Sequence, residues 1–444
     1  RPGRRRRQYP PPRRLDRRDR QRSREFQRLE WATHAALDWL AVTVAGASEP
    51  LVRMLRDEYG EADAAPLCDA HRRGVLQATL INGAAGHALD FDDVAARMHG
   101  HPSVPVMPAA LALAQVRGAT GRDFLRAVVI GHEVESRVGE VLGGSHYARG
   151  FHATGTIGTF GAAAAAATLL GLDAPQCAHA LGLAAAQAAG LKSMFGTMAK
   201  PLHAGKAAMN GVMAAQLAAR GFTANTEAIE AFQGFAWTQA DEAAVLPNVD
   251  TRGGFAVEQT LFKYHAACYL THSTIEAARV LREVHGLDLD AVAAIDIGVP
   301  AGHRSVCDIA EPRTGLNLKF SIRQLALLAL DGADTASLAL YVDATALDPR
   351  YVAARGRVQV SARDLPHPHA AVVTLTTRDG RTLVAEANVG IPATDAALQW
   401  QRLAAKARAI AVPVLGDARN RALLAQVEAL RDAPTLSPLM ETLQ

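Results

Sequence analysis

Aromatic residues are scarce in this chain, at 5% of 444 residues, and cysteine is scarcer, with four. A core short of Phe, Tyr and Trp must be built from Ala, Leu, Val and Gly. Side chains that small suit closely packed helices better than a β-sandwich. Cys68, Cys177, Cys268 and Cys307 stand far apart with no C-x-x-C pair. That argues against a thiolate zinc site or a disulfide framework and for a reducing compartment. Also missing are a phosphate-binding loop, G-x-S-x-G, a kinase signature, H-E-x-x-H, calcium-loop spacing and any repeat of fixed period. No secretory signal is legible, and the expectation is a soluble, cytoplasmic protein. The longest uncharged apolar run, 153–172, is interrupted by Thr154, Thr156, Thr159 and glycines, which predicts a buried core helix rather than a membrane span.

Positive charge is concentrated in one place. Residues 1–24 hold twelve Arg against two Asp, so a chain of net charge +3 has a body of net charge −7. A folded nucleic-acid binder spreads Lys and Arg over its surface, and this body does not. The tail, with Pro10, Pro11 and Pro12 and no apolar stripe, is expected to be a disordered, solvated extension. An arm touching RNA or a membrane surface, or a transit peptide, are its alternative readings.

What is present is helical periodicity. With 49% hydrophobic residues the chain can bury a large core. Helices are expected at Leu29–Val44, Gln77–Phe91, Val104–Val116, Gly121–Leu142, Gly155–Leu170, Ala174–Gly190, Leu202–Ala219 and Thr226–Phe232. After a helix at Ser273–His285 the texture changes. Val292–Val299, Val358–Ser361, Val372–Thr377 and Thr382–Val389 alternate like strands, the last two joined by an Asp379-Gly380 hairpin turn. Helices are expected between them at Phe320–Leu330 and Asp334–Leu340, and again at Ala396–Ala411 and Ala418–Arg431. The predicted class is mainly α: a large discontinuous all-helical domain (25–262 and 396–444) interrupted by a smaller α+β domain (263–395) that could cover a cleft.

Five short segments are dense in ionisable groups: Gly86–Asp93, His99–Ser103, His146–Gly155, Gly196–His203 and Lys263–Ser273. Four of them run into an expected helix start. Thr154 could cap one such helix, Pro201 could sit in the first turn of another with Lys200 outside it, and Ser273 with Glu276 reads as a capping box. Helix starts carry free N–H groups and partial positive charge, so with Lys200 and Lys263 they suit carboxylates. Blander readings stand beside this one. His87 reads as a core histidine and Asp92 and Asp93 as solvated. Gly155, Gly158 and Gly161 read as close helix packing, and a lone Cys268 as an inert thiol. The Asp90, Asp92, Asp93, His99 and His101 group could be read as a metal cluster, but it matches neither the calcium-loop spacing nor H-E-x-x-H, so no metal is expected.

Six stretches, in order, resemble the MmgE/PrpD family: GHALDFDD (86–93), GHPSVPVMPA (100–109), GFHATGTIGTFGAAAAA (150–166), FGTMAKPLHAGKAAMNG (195–211), the Lys263–His272 segment and EPRTGLNLKFSIRQ (311–324). The family includes 2-methylcitrate dehydratases, cis-aconitate decarboxylase and iminodisuccinate epimerase. The resemblance implies a helical domain with an α/β lid, a homodimer, no metal or organic cofactor, and a pocket for a di- or tricarboxylate; no nucleic-acid or membrane partner is expected, on the charge distribution and the interrupted apolar run. The resemblance assigns Asp90, His101, His152, Lys200 and Lys263 to the catalytic set, and Thr197, His203 and His272 to substrate binding. Cys268 stands where the decarboxylase has a catalytic His, which favours the other members. Lys200 and Lys263 are expected to bind carboxylate, His152 or Asp90 to act as base and His101 as acid, with Cys268 a second proton carrier if the reaction is an epimerisation. Dehydration of a 2-methylcitrate-like acid is the leading expectation. Epimerisation of an imino- or amino-dicarboxylate comes next, then cis-aconitate-type decarboxylation, with nucleic-acid binding through the tail the remote alternative.

Overall fold

The computed structural model describes residues 17–59, 65–241 and 254–444. Twelve helices of eight or more residues occur among them: α1 Arg17–Gly46, α2 Pro50–Tyr59, α3 Val75–His87, α4 Ser103–Arg117, α5 Gly121–Ala148, α6 Gly158–Leu170, α7 Ala174–Ala185, α8 Ala199–Ala219, α9 His272–His285, α10 Ile322–Leu330, α11 Ala396–Leu415 and α12 Asp417–Glu428. The molecule is mainly helical, with a four-stranded mixed sheet in its C-terminal region.

Small residues set how closely these helices pack. A Cβ on Gly83 of α3 would stand 2.7 Å from Gly205 Cα of α8, and one on Gly211 would stand 2.5 Å from Ala162 Cβ of α6. Thus α8 seats against both α3 and α6 with backbones nearly touching, burying Ala204, Ala207, Ala208, Ala214 and Ala215. The 155–161 glycines do the same work. Added Cβ atoms at Gly155, Gly158 and Gly161 would meet Ala189 O at 2.8 Å, Pro105 Cγ at 2.6 Å and Glu135 Oε2 at 2.5 Å. By length and hydropathy alone Ala153–Leu170 could cross a membrane, and 83% of it is buried inside the protein.

The sheet runs β2–β1–β3–β4, with β1 Val292–Val299, β2 Val358–Ala362, β3 Ala370–Thr377 and β4 Thr382–Asn388. β1 and β2 are parallel, and the other pairs are antiparallel. The β3–β4 turn is the expected hairpin, with Gly380 at φ +87. Helix α9 packs on β3 and β4, and α10 packs on α9. Helix α11 returns to lie along α1, and one apolar cluster joins Trp39 of α1, Ile275 of α9, Ile295 of β1 and Ile410 of α11.

Four local expectations need correction. Residues 226–232 form turns rather than a helix, and within 334–340 only Leu338–Leu340 makes a helical turn. Neither segment has the length that lets helix propagation repay nucleation. Helix α3 stops at His87 instead of reaching Phe91. In the tail, residues 1–16 lie outside the described residues, but α1 begins at Arg17, so 17–24 are helical rather than disordered. Arg and Gln are good helix formers, and this stretch extends a long packed helix.

Candidate active site

Asp90 stands where α3 breaks. Its backbone takes φ +51, a left-handed conformation that Asp tolerates better than most residues. The reversal leaves its carboxylate half-exposed while its neighbours Phe91, Asp92 and Asp93 are buried. Short backbone ties then draw distant segments to this turn. Val94 and Leu261 exchange two hydrogen bonds, at 2.8 and 2.9 Å, which brings in Lys263. The Lys263 ammonium donates to Asp90 O at 2.6 Å and lies 3.4 Å from Asp90 Oδ1. Lys200, in the first turn of α8, reaches the same oxygen at 2.8 Å. His101 Nε2 lies 3.6 Å from it. His152 is held in place by a bond from its N–H to Gly190 O at 3.0 Å and by the adjacent Phe151–Leu191 bridge.

The predicted segments therefore converge, although three local devices differ from expectation. Thr154 does not cap a helix; its hydroxyl accepts the His101 N–H at 3.1 Å and sets the His101 loop, while His152 occupies the N-cap of Ala153–Thr156. Lys200 is inside α8 rather than ahead of it, because the helix opens at Ala199 and Pro201 still falls in the first turn, where its missing N–H costs nothing. Ser273 and Glu276 form no capping box. Ser273 Oγ bonds His369 O and Val389 N, and Glu276 pairs with His265 and Arg402.

A second layer was not assigned from the sequence. His87 Nδ1 lies 3.0 Å from both oxygens of Asp92, and Asp92 Oδ2 lies 2.9 Å from His101 Nδ1. Asp92 is thus a buried carboxylate between two imidazoles, not a solvated one, and His87 is part of the cluster as well as of the core. The spacing His87-x4-Asp92 was the available signal. Asp93 is also buried, accepting from the Ser103 hydroxyl at 2.6 Å and the Ser103 N–H at 3.1 Å. Burial raises the Asp93 pKa well above the ordinary value. For Asp90, the partial loss of water around it acts to raise the pKa, but Lys200, Lys263 and His101 outweigh that and hold the group well below the usual range. The same contest at Asp92 is won by His101 and His87.

His152 joins this group of histidines. Its ring stacks on His87 with centroids 5.7 Å apart, and its Nδ1 shares a hydrogen bond of 3.0 Å with His203 Nδ1. The other nitrogen, Nε2, is buried without a partner among the described residues. Burial above all, with the neighbouring His87 ring and the Lys200 ammonium adding to it, pushes its pKa far down, so the imidazole is neutral. His87 is likewise lowered, to about 4, by burial.

The remaining candidates sit further out. Thr197 is exposed, and its hydroxyl donates to Met194 O at 2.7 Å. His272 is buried and donates from Nε2 to Ala267 O at 3.2 Å. The Cys268 sulfur accepts a hydrogen bond from the Cys307 thiol; that bond, with help from the Leu270 N–H and the Lys263 charge, lowers the Cys268 pKa against the effect of burial. Ligand atoms of His87, Asp90, Asp92 and His101 lie within 4.8 Å of one another, so a divalent cation could be held there. Two ammonium groups already occupy Asp90, however, and compete for that charge. A separate cavity of about 350 Å³ beside Tyr264 is lined by Arg279, Arg282 and Arg402 and includes none of the candidate residues.

Comparison with known proteins matches residues 23–244 to the MmgE/PrpD N-terminal domain and 265–432 to the MmgE/PrpD C-terminal domain. Among curated relatives, the cis-aconitate decarboxylase of Homo sapiens is 34% identical over 221 residues, 46% of this chain and 44% of that protein. The Mus musculus protein of the same name is 33% identical over 221 residues, 46% and 43% of the two chains. That of Aspergillus terreus is 29% identical over 276 residues, 57% and 56%. The match thus spans about half the length of these relatives.

Proposed function

The chain belongs to the MmgE/PrpD family of enzymes, and on that premise we propose that it is a lyase of small di- or tricarboxylates, working by proton abstraction next to a carboxylate. The observation that carries this reading is a buried, neutral His152 with a free Nε2, in the same cluster as two ammonium groups that converge on Asp90. In the leading version the substrate is a 2-methylcitrate-like acid. His152 Nε2 takes a proton from the carbon beside a carboxylate, and the electron pair moves onto that carboxylate as an enediolate. Lys200 and Lys263 meet the charge as it develops, and because they are already held in place they need not reorganise. The pair then forms the double bond as the hydroxyl on the adjacent carbon leaves, protonated by His101 to become water. Asp92, 2.9 Å from His101 Nδ1, keeps that ring oriented.

The names of the relatives favour a second reading, decarboxylation of cis-aconitate. There the bond to a carboxylate breaks, CO₂ leaves, the same ammonium groups hold the electron pair as extended enolate, and His101 or Cys268 returns a proton to carbon. One set of incubations separates these outcomes. New alkene absorbance from 2-methylcitrate without CO₂ supports dehydration, and CO₂ release from cis-aconitate supports decarboxylation. Deuterium wash-in with inversion of an amino- or imino-dicarboxylate, and neither other signal, would replace both with an epimerase.

A further inference from the structure

Cys268 is not the lone thiol that its sequence context suggests, because the fold sets Cys307 against it. The backbone of residues 319–321 runs between the two segments and is bonded to both. On one side Lys319 O accepts the Cys268 N–H at 3.0 Å. On the other, Phe320 O accepts the Ile309 N–H at 3.1 Å, the Ser321 hydroxyl donates to Ile309 O at 2.7 Å, and Asp308 pairs with Ser321 in an isolated bridge. Arg323 clamps the Asp308 carboxylate at 2.6 and 3.2 Å. Cys307 ends the short helix Ala301–Cys307, which packs against the helical turn Tyr269–Thr271 directly after Cys268. The contact in which the Cys307 thiol donates to the Cys268 sulfur is therefore held from the backbone on both sides.

The two sulfurs are unlike in the way that oxidation and its resolution require. Cys268 is partly exposed, whereas Cys307 is buried with its Sγ 3.1 Å from His303 O. Their shared hydrogen bond favours the thiolate at Cys268 and keeps the proton on Cys307, with burial adding to the second effect. Cys177 is a comparison within the same chain: it is also partly exposed, but burial and Asp173 push its thiol pKa up. A thiolate that solvent can reach is the form that attacks peroxides, and a second sulfur already in contact closes a disulfide with little backbone movement. We propose that Cys268 and Cys307 are a reversible redox pair, in which a hydroperoxide oxidises Cys268 and Cys307 resolves the product to an intramolecular disulfide. The Cys268 sulfur takes the terminal oxygen as the O–O bond breaks, giving a sulfenic acid and, after protonation, water or an alcohol. The Cys307 sulfur then displaces that oxygen, which leaves as water with the Cys307 proton. A dithiol reverses the change by exchange and is itself oxidised to a disulfide. The bond ties the segment that carries Lys263 to the Ala301–Cys307 helix. None of this depends on which reaction the site performs, so its test reads sulfur chemistry rather than turnover.

The experiment exposes the reduced full chain to hydrogen peroxide, caps remaining thiols with N-ethylmaleimide, and maps the unreduced digest by mass spectrometry. The wild-type protein should yield the Cys268 and Cys307 peptides joined and lighter by two hydrogen atoms, with Cys68 and Cys177 capped, and dithiothreitol should restore both thiols. Cys268 should be consumed at least about tenfold faster than Cys177. Cys307→Ser should give no joined pair and instead a Cys268 sulfenic acid that dimedone traps. Cys268→Ser should leave Cys307 reduced over the same interval. The inference is overturned if the joined pair does not form, if dithiothreitol does not reverse it, or if Cys268 reacts no faster than Cys177. It is equally overturned if Cys307 oxidises at the wild-type rate in Cys268→Ser. Should a serine variant fail to fold, the alanine variant at that position is read by the same criteria, and the wild-type map decides independently.

Discussion

Replacing Lys406 by Met should cost about 3–5 kcal/mol of stability near pH 8 and clearly less near pH 5. Lys406, on α11, is 1% exposed and ion-pairs with Asp38 of α1 at 2.5 Å. Its ammonium also donates to Phe91 O at 2.7 Å and sits 4.0 Å over the Phe91 ring. Met conserves most of the volume but leaves Asp38 buried without its cation, the situation that makes breaking a buried pair expensive. Burial raises the Asp38 pKa to about 6 even with Lys406 drawing it down, and removal of the lysine raises it further. A carboxyl whose folded value exceeds its unfolded one holds its proton more tightly when folded. Its contribution is therefore intact at low pH and lost as pH climbs from the ordinary carboxylate range through the folded value. Near pH 5 the variant can keep Asp38 neutral, and the penalty shrinks. The double variant Asp38→Leu/Lys406→Met should recover most of the loss, since an apolar pair leaves no charge stranded. Urea unfolding at both pH values is the assay. A single-variant loss below about 1 kcal/mol, equal losses at the two pH values, or a double variant no better than the single would refute the reasoning.

His152→Ala and Lys200→Ala should each lower turnover by about 10²–10⁴-fold with the melting temperature unchanged, and a near-normal rate would remove that residue from the mechanism. Glu135 is buried with neither carboxyl oxygen bonded among the described residues, and burial, with the nearby Asp93, raises its pKa well above the ordinary value. By the same sign as Asp38, stability is lost as pH rises, so Glu135→Gln should stabilise by about 1–3 kcal/mol near pH 8 and little near pH 5. A gain of the same size at both would contradict it. Gly205→Ala would place a Cβ 2.2 Å from Leu80 O, forcing α3 and α8 apart at a cost of about 1–3 kcal/mol, and an unchanged thermal melt would argue against that contact. EDTA should leave the rate unchanged; a loss restored by added zinc would place a cation among His87, Asp90, Asp92 and His101.

The helices were legible because their apolar residues recur over many turns and their ends carry caps, as at Thr120, whose hydroxyl accepts the Asp123 N–H at 3.1 Å. The sheet was legible from alternation and from one Asp-Gly turn. Short elements such as 226–232 were misread because a single turn of pattern cannot tell a helix from a series of turns. At the site, Lys200, Lys263, His101 and His152 were found from the density of ionisable residues and from the resemblance to a family. His87 and Asp92 were not assigned, because burial and partnership depend on where α3 breaks. That break is a left-handed Asp90, a conformation that no local rule makes obligatory for Asp. The Lys406–Asp38 pair, 368 positions apart, leaves no trace in any window of sequence.

Sequence separation also sets a timetable. The Phe91 carbonyl and the lysine that holds it are 315 positions apart. At ordinary rates of synthesis the ribosome needs about 15–60 s to travel that distance. Through that interval the Asp90 turn exists without its anchor, and the α1 surface that will receive α11 is bare. A nascent chain halted before α11 emerges should therefore hold most of its helices and still be unable to finish its site, which makes the arrival of α11 the step that completes it.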